Sequence, residues 1–165
     1  MNVVTHAFSP VIIAALAETL FFRRRGKRLL TDRHFCAIAI SGAAPDLLWP
    51  HLTLAARYSS PTHSIWFLLA AIPIAILLTR RLFRETWRLT TFLLICAVAF
   101  HLFCDAIANG IAWAYPFSDH VIGVSLVPHW TWIWIDILCL GVAVALIYGL
   151  RIREKSRLSK AESIP

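Results

Sequence analysis

The sequence predicts an all-α fold, a polytopic membrane bundle of about five short apolar helices. Hydrophobic residues make up 59% of the 165 residues and charged residues only 15%, with a mean hydropathy of +0.69. Soluble domains of this size rarely reach that balance. The net charge of +7 is also concentrated in arginine-rich blocks between long apolar stretches. Both observations indicate a chain whose helices lie in lipid.

Five apolar segments follow one another along the chain, at residues 3–22, 35–49, 64–79, 90–108 and 131–150. Several are short, because a bilayer needs about 20 helical residues. The second contains Ser41, Gly42 and Pro45, so we expect its outer end to be broken or packed inside the bundle. The fifth is the cleanest span, and we expect the charged tail beyond it to be frayed. The sequence thus predicts a membrane-embedded domain, 1–150, and a basic tail, 151–165.

Three arginine-rich blocks set the predicted orientation, at residues 23–28, 80–88 and 151–157. Each abuts an apolar segment, as cytoplasmic loops do under the positive-inside rule. The two remaining connections, 50–63 and 109–130, contain a single Lys or Arg, Arg57. We therefore expect the arginine blocks and the tail to lie in the cytoplasm and the other connections outside. This placement favours membrane orientation over nucleic-acid binding as the role of the positive charge.

Ionisable residues interrupt the apolar segments. In this topology five of them fall toward the outer ends of their segments, namely His6, Asp46, His63, His101 and Asp105. Such groups are costly inside a membrane and usually mark a functional site. His101 and Asp105 are four residues apart, so on a helix they project from one face and can share a metal ion. Adding His6, Asp46 and His63 gives nitrogen and oxygen donors without thiolate, typical of a catalytic zinc, manganese or other divalent ion. We expect the five side chains to gather in a pocket open to the outer interface.

Other polar residues have ordinary structural explanations. Asp136 can equally be a hydrogen-bonded residue of the bundle. The remaining candidates are expected to be loop or solvated groups, namely His34, His51, Asp119, His120 and His129.

Four motifs in order carry a resemblance: THA at 5–7, PD at 45–46, PTHS at 61–64, and HLFCDAIANG at 101–110 followed by YPF at 115–117. Together they resemble the YdjM-like family, described as bacterial inner-membrane, metal-dependent hydrolases and as LexA-binding-associated proteins. The resemblance spans nearly the whole chain. It implies a bacterial inner-membrane location and, through a relation to zinc-dependent phospholipase C and nuclease folds, a phosphoester substrate by analogy. The metal ligands that it implies are His6, Asp46, His63, His101 and Asp105.

Two departures from the family pattern concern the site. Family members often carry HRGxTHS and PDxD strings, whereas this chain has YSSPTHS and PDLL. Tyr58 and Leu48 therefore stand where a further His and Asp are expected. These two departures are compatible with a smaller number of bound metal ions, and also with loss of catalysis.

The sequence thus predicts a membrane-bound, metal-dependent hydrolase acting on an ester or phosphoester at the outer face. A divalent ion would polarise an oxygen of the substrate and lower the pKa of bound water, and Asp46 or Asp105 would serve as general base. The partners would be membrane lipids and an amphiphilic phosphoester substrate, with no nucleic acid.

The alternative to an enzyme is a transporter or a metal-binding or regulatory scaffold. Transport is disfavoured because the inner halves of the segments carry almost no ionisable residue apart from Glu18. A scaffold would have the same metal site.

Overall fold

The computed structural model describes residues 3–50 and 53–162. Within these ranges six α-helices form the framework: α1 Val3–Arg25, α2 Asp32–Leu48, α3 Leu54–Tyr58, α4 Ile65–Leu82, α5 Trp87–Ala108 and α6 Trp132–Glu162. Two 3₁₀ turns precede α4 and α6, at Pro61–His63 and His129–Thr131. The same ranges contain no β-strand, and an isolated bridge joins Ile111 to Ile122. The predicted all-α bundle is confirmed.

Among the described residues, four helices are long and apolar enough to cross a membrane, namely α1, α4, α5 and the part of α6 up to Ser159. The second predicted segment differs from these. Helix α2 has 17 residues, so at ~1.5 Å per residue it is about 26 Å long, shorter than a hydrocarbon core of about 30 Å. Its outer end is unbroken, since the helix continues through Pro45, and Pro45 is buried inside the bundle. Of the two expectations for this end, packing inside the bundle is the correct one.

The C-terminal tail is helical where a frayed chain was expected. Helix α6 continues to Glu162, through residues rich in Arg, Lys, Leu, Glu and Ala, which have high helix propensity. Salt bridges hold this extension against the bundle, from Arg151 to Asp32 at 2.7 Å and from Arg28 to Glu154 at 3.1 Å. The expectation of fraying was therefore wrong as far as residue 162. Residues 163–165 lie outside the described residues.

The three arginine-rich blocks lie at one end of the bundle. Arg28, after α1, pairs with Glu154 of the third block and with Asp32 of α2. His34 Nε2 lies 2.9 Å from Thr86 Oγ1, which brings the turn between α4 and α5 to the same end. His34 itself lies in the first turn of α2 rather than in a loop. The three arginine-rich blocks therefore face the same side of the membrane.

Small side chains bring the helices close together. Helix α1 packs on α2, α5 and α6, and α5 packs on α2 and α4. Alanines fill the buried contacts of the core, including Ala14, Ala15, Ala97 and Ala143, as is typical of helix packing in membranes. Between α2 and α4, an apolar groove of about 340 Å³ remains along one side of α5.

The connection between α5 and α6 folds back over the end of α5. Val124 N donates to the Ala106 carbonyl at 2.9 Å, and Ile65 N donates to the Trp113 carbonyl at 2.9 Å. The connection therefore contacts the ends of both α5 and α4. It closes the end of the bundle opposite the arginine blocks.

Candidate metal centre

The structure brings together all five residues that the sequence analysis proposed as ligands. His6 lies in the first turn of α1, Asp46 near the end of α2 and His63 in the 3₁₀ turn before α4, while His101 and Asp105 lie in the last two turns of α5. All five side chains are between 0 and 8% exposed. Four elements thus meet at the end of the bundle opposite the arginine blocks.

The turn before α4 has a local cause. Pro61 begins the 3₁₀ turn, where its missing N–H costs nothing. Ser64 then caps α4, with its hydroxyl accepting from Phe67 N at 3.4 Å. His63 lies between these two residues and is directed inward rather than along the surface.

Four side chains form a compact group of donors. His63 Nε2 lies 3.2 Å from Asp46 Oδ1 and 3.4 Å from Asp105 Oδ2. His101 Nε2 lies 3.7 Å and 3.5 Å from the same two oxygens, and the two imidazole nitrogens are 3.2 Å apart. A tetrahedral ion with bonds of about 2.0–2.1 Å separates its ligand atoms by about 3.3–3.4 Å. The geometry therefore suits one four-coordinate divalent ion, and we name these residues the metal cluster.

The hydrogen bonds around both histidines suit metal binding. His101 Nδ1 lies 2.7 Å from the Gly42 carbonyl oxygen. Since that oxygen can only accept, Nδ1 carries the hydrogen and Nε2 presents its lone pair to the cluster. His63 Nδ1 lies 3.1 Å from Ser60 Oγ, which can accept the Nδ1 hydrogen when Nε2 holds a metal. Metal-binding histidines usually have such a partner on the other nitrogen.

The electrostatics of the group favour a positive charge at its centre. Burial lowers the pKa of the His63 imidazole, but the carboxylates of Asp105 and Asp46 outweigh that effect and raise the pKa overall. Two carboxylates this close together in a buried site need a cation between them. A proton on His63 can supply it, and a divalent ion would supply it more fully.

His6 lies beside the cluster rather than within it. Its Nε2 is 3.2 Å from Asp105 Oδ1, the carboxylate oxygen on the other side from the two cluster histidines. Its ring packs on that of His101, with centroids 3.9 Å apart. His6 Nδ1 has no hydrogen-bond partner among the described residues, so it lacks the outer contact that His101 has.

Arg57 is a site residue that the sequence analysis did not identify. It is 2% exposed, and its Nη1 donates to Asp105 Oδ1 at 2.8 Å while Nη2 donates to the Gly110 carbonyl at 3.2 Å. The available signal was its isolation, since it is the single Lys or Arg of the outer connections and lies six residues before His63. A count of basic residues cannot show that Arg57 pairs with a buried carboxylate.

The site is closed, whereas a pocket open to the outer interface was expected. Tyr58 donates to the Asn109 carbonyl at 3.0 Å, next to the bond from Arg57 to Gly110. These bonds hold the segment before α4 against the end of α5, over the cluster. The sequence gives no sign of this closure, because its hydrogen bonds join residues more than 50 positions apart.

The residues set aside as structural are placed as follows. Asp136 accepts from both the backbone N–H and the hydroxyl of Thr5, so it is a hydrogen-bonded bundle residue that anchors the start of α1. Asp119 and His120 are exposed. His51 and the side chain of His129 lie outside the described residues.

Comparison with known proteins shows the family of this chain. The family model described as YdjM inner membrane protein matches residues 1–162, a range that contains every residue of the site. No match was found among curated proteins or among solved structures. With four candidate membrane spans and a buried His and Asp cluster suited to a metal ion, the chain belongs to the YdjM inner membrane protein family.

Proposed function

We propose that this protein is a membrane-bound, metal-dependent hydrolase that acts on a lipid-like ester or phosphoester. The observation that carries the proposal is the metal cluster, in which two imidazole nitrogens and two carboxylate oxygens converge without any thiolate. Such mixed donors are typical of hydrolytic zinc or manganese centres, whereas structural zinc sites rely on cysteine. The four cysteines of this chain are all free and lie elsewhere.

Each residue of the cluster has a distinct role in the proposal. His63 and His101 would hold the ion, with Asp105 as an oxygen ligand kept in place by Arg57. The bound ion would polarise the carbonyl or phosphoryl oxygen of the substrate and lower the pKa of bound water. Asp46 is the most exposed residue of the cluster, and it is therefore our candidate for the general base that takes the proton from water.

The groove between α2 and α4 supports a substrate with a hydrocarbon chain. Ala44, Phe67 and Val98 line its outer part, and each lies within four residues of a member of the metal cluster. Its other part reaches Leu82, so it extends along α4 from Phe67 to Leu82, about 22 Å at ~1.5 Å per residue. A lipid tail in this groove would place its head group beside the cluster.

The arrangement of charge supports a periplasmic site. All three arginine-rich blocks lie at one end of the bundle and the cluster lies near the other. Under the positive-inside rule the arginine end faces the cytoplasm. The substrate would then be a lipid of the outer leaflet of the inner membrane.

The second candidate is a metal-binding scaffold without turnover. Two observations favour it: protein atoms supply four ligand positions, and the cluster is closed to solvent. A closed four-ligand site is typical of structural metal. Transport finds no support, because Glu18 uses its carboxylate to accept from the backbone N–H groups of Leu29 and Leu30.

The test uses detergent-purified protein loaded with zinc or manganese. Hydrolysis of phospholipids and of undecaprenyl phosphate is measured as released phosphate, head group, phosphorylated head group or fatty acid, for the wild type, for Asp46→Asn and for the exposed control His120→Ala. We expect turnover in the wild type and the control and a large loss in Asp46→Asn. Bound metal without turnover on any of these substrates would favour the scaffold.

A further inference from the structure

The two oxygens of Asp105 face different groups. Oδ2 lies toward His63 and His101, inside the metal cluster, whereas Oδ1 lies 3.2 Å from His6 Nε2. In two-metal sites a pair of ions 3.5–4 Å apart acts on one substrate, and a carboxylate with a histidine at each oxygen is well placed to join such a pair. The His6 to Asp105 distance also suits two ligands of one ion, whose separation is about 3.3 Å. His6 and Asp105 Oδ1 can therefore supply two ligands to a second ion.

Arg57 contacts the same carboxylate oxygen that such an ion would need. Its Nη1 is 2.8 Å from the same Oδ1, closer than His6 is, and its Nη2 is held by the Gly110 carbonyl. A guanidinium stays charged throughout the accessible pH range and is well suited to buried ion pairs. Because Arg57 is itself buried, its charge is weakly screened by water. A dication beside it would meet strong repulsion.

We propose that Arg57 replaces a second metal ion and restricts this centre to one. The inference rests on the proposed function only in requiring that the cluster binds metal, and it does not depend on hydrolysis. One divalent ion balances the carboxylates of Asp46 and Asp105. Arg57 then adds a further positive charge, so a second ion would bring two more charges with no carboxylate among the site residues to balance them.

The proposal changes the role of His6. With Arg57 in place, His6 acts as a close polar neighbour of Asp105 Oδ1, 3.2 Å away, and not as a ligand of the single ion. The absence of a partner for His6 Nδ1 among the described residues agrees with this role, because metal-bound histidines usually have their second nitrogen bonded.

The test counts metal ions. Wild type, Arg57→Gln, Arg57→Lys, His6→Ala and the control Tyr58→Phe are titrated with Mn²⁺, bound metal is measured per chain, and electron paramagnetic resonance separates isolated from coupled ions. Tyr58→Phe removes the neighbouring hydrogen bond to Asn109 without a change of charge. We expect one isolated ion in every protein except Arg57→Gln, which should take up a second, coupled ion as Mn²⁺ is raised.

Several outcomes would overturn the inference. Two ions in the wild type would show that Arg57 does not exclude the second, and one ion at saturation in folded Arg57→Gln would show that its charge is not what limits the number. Should Arg57→Gln fail to fold, His6→Ala decides, since loss of the single ion in that variant would make His6 a primary ligand. A wild type that binds no Mn²⁺ or Zn²⁺ would instead remove the proposed function, and the inference with it.

Discussion

The Nδ1 atom of His101 lies 2.7 Å from the carbonyl oxygen of Gly42, so a backbone atom of α2 holds a cluster residue of α5 in its metal-binding orientation. Gly42 also lies directly against α1, where an added Cβ would overlap the carbonyl oxygen of His6. One glycine therefore sets the spacing of three helices at the site.

Gly42→Ala should damage both stability and metal binding. The added methyl must push α1 away from α2, and overpacking of this kind costs about 1–3 kcal/mol. We expect a lower melting temperature and weaker metal binding, measured on the same preparation. The control is Gly141→Ala in α6, where an added Cβ meets nothing within 4 Å. Equal behaviour of the two variants would show that the close approach at Gly42 is unimportant.

His101→Ala tests the cluster itself. Loss of a nitrogen ligand should weaken metal binding by more than the ~10–100-fold typical of residues that only orient a ligand. Any hydrolytic activity should be lost with it. The protein should still insert and purify, since most of the bundle is held by packing of small and apolar side chains. Unchanged metal content together with a large fall in melting temperature would identify a structural residue and contradict the hydrolase proposal.

Ser60→Ala tests the outer contact of His63. Ser60 is buried, and its hydroxyl lies 3.1 Å from His63 Nδ1. Removing such a partner typically costs about 10–100-fold in metal affinity, and we expect the low end of this range because Thr62 Oγ1, 3.3 Å from the same nitrogen, remains. The neighbouring Ser59→Ala is the matched control, because Ser59 is exposed and its hydroxyl donates to backbone carbonyls of α3. Metal affinity measured by competition with a fluorescent chelator should separate the two variants.

Asp32→Asn tests the charged contacts at the arginine end. Partial burial opposes ionisation of Asp32, but hydrogen bonds from Arg28 and Arg151 outweigh it and hold the pKa below its ordinary value of 3.8. A lowered folded-state pKa contributes stability above pH 3.8, and this contribution is lost as the pH falls through the folded-state pKa. The variant should melt below the wild type at pH 7, and the difference should shrink as the pH is lowered below about 4. A difference that stayed constant across this range would show that the charge of Asp32 is not its cause.

Labelling of single cysteines tests the orientation. In a background without the native cysteines, a membrane-impermeant thiol reagent added to intact spheroplasts should modify Ser118→Cys, which is in the outer connection and exposed. Lys27→Cys, exposed in the first arginine block, should react only after the membrane is permeabilised. The reverse pattern would place the metal cluster near the cytoplasmic face.

Hydropathy and charge, which are properties of sequence, were sufficient for the fold class and for most of the site. Apolar stretches of this length have few alternatives to helices in a membrane, and buried ionisable residues are too costly to be placed without a reason. His63, His101, Asp46 and Asp105 were therefore recognisable before their geometry was known. The i, i+4 spacing of His101 and Asp105 was enough to predict one shared face.

Tertiary structure decided which atoms meet. Sequence spacing cannot show that Asp105 presents one oxygen to the cluster and the other to Arg57, because the Asp105 and Arg57 positions are 48 residues apart and join only when the segment before α4 folds over α5. The closed site depends in the same way on contacts between distant segments, whereas the helical tail combines local helix propensity with salt bridges to the bundle. Local sequence determined the kind of residue that belongs at the site, whereas long-range packing determined which of them can bind a metal ion and which hold the others in place.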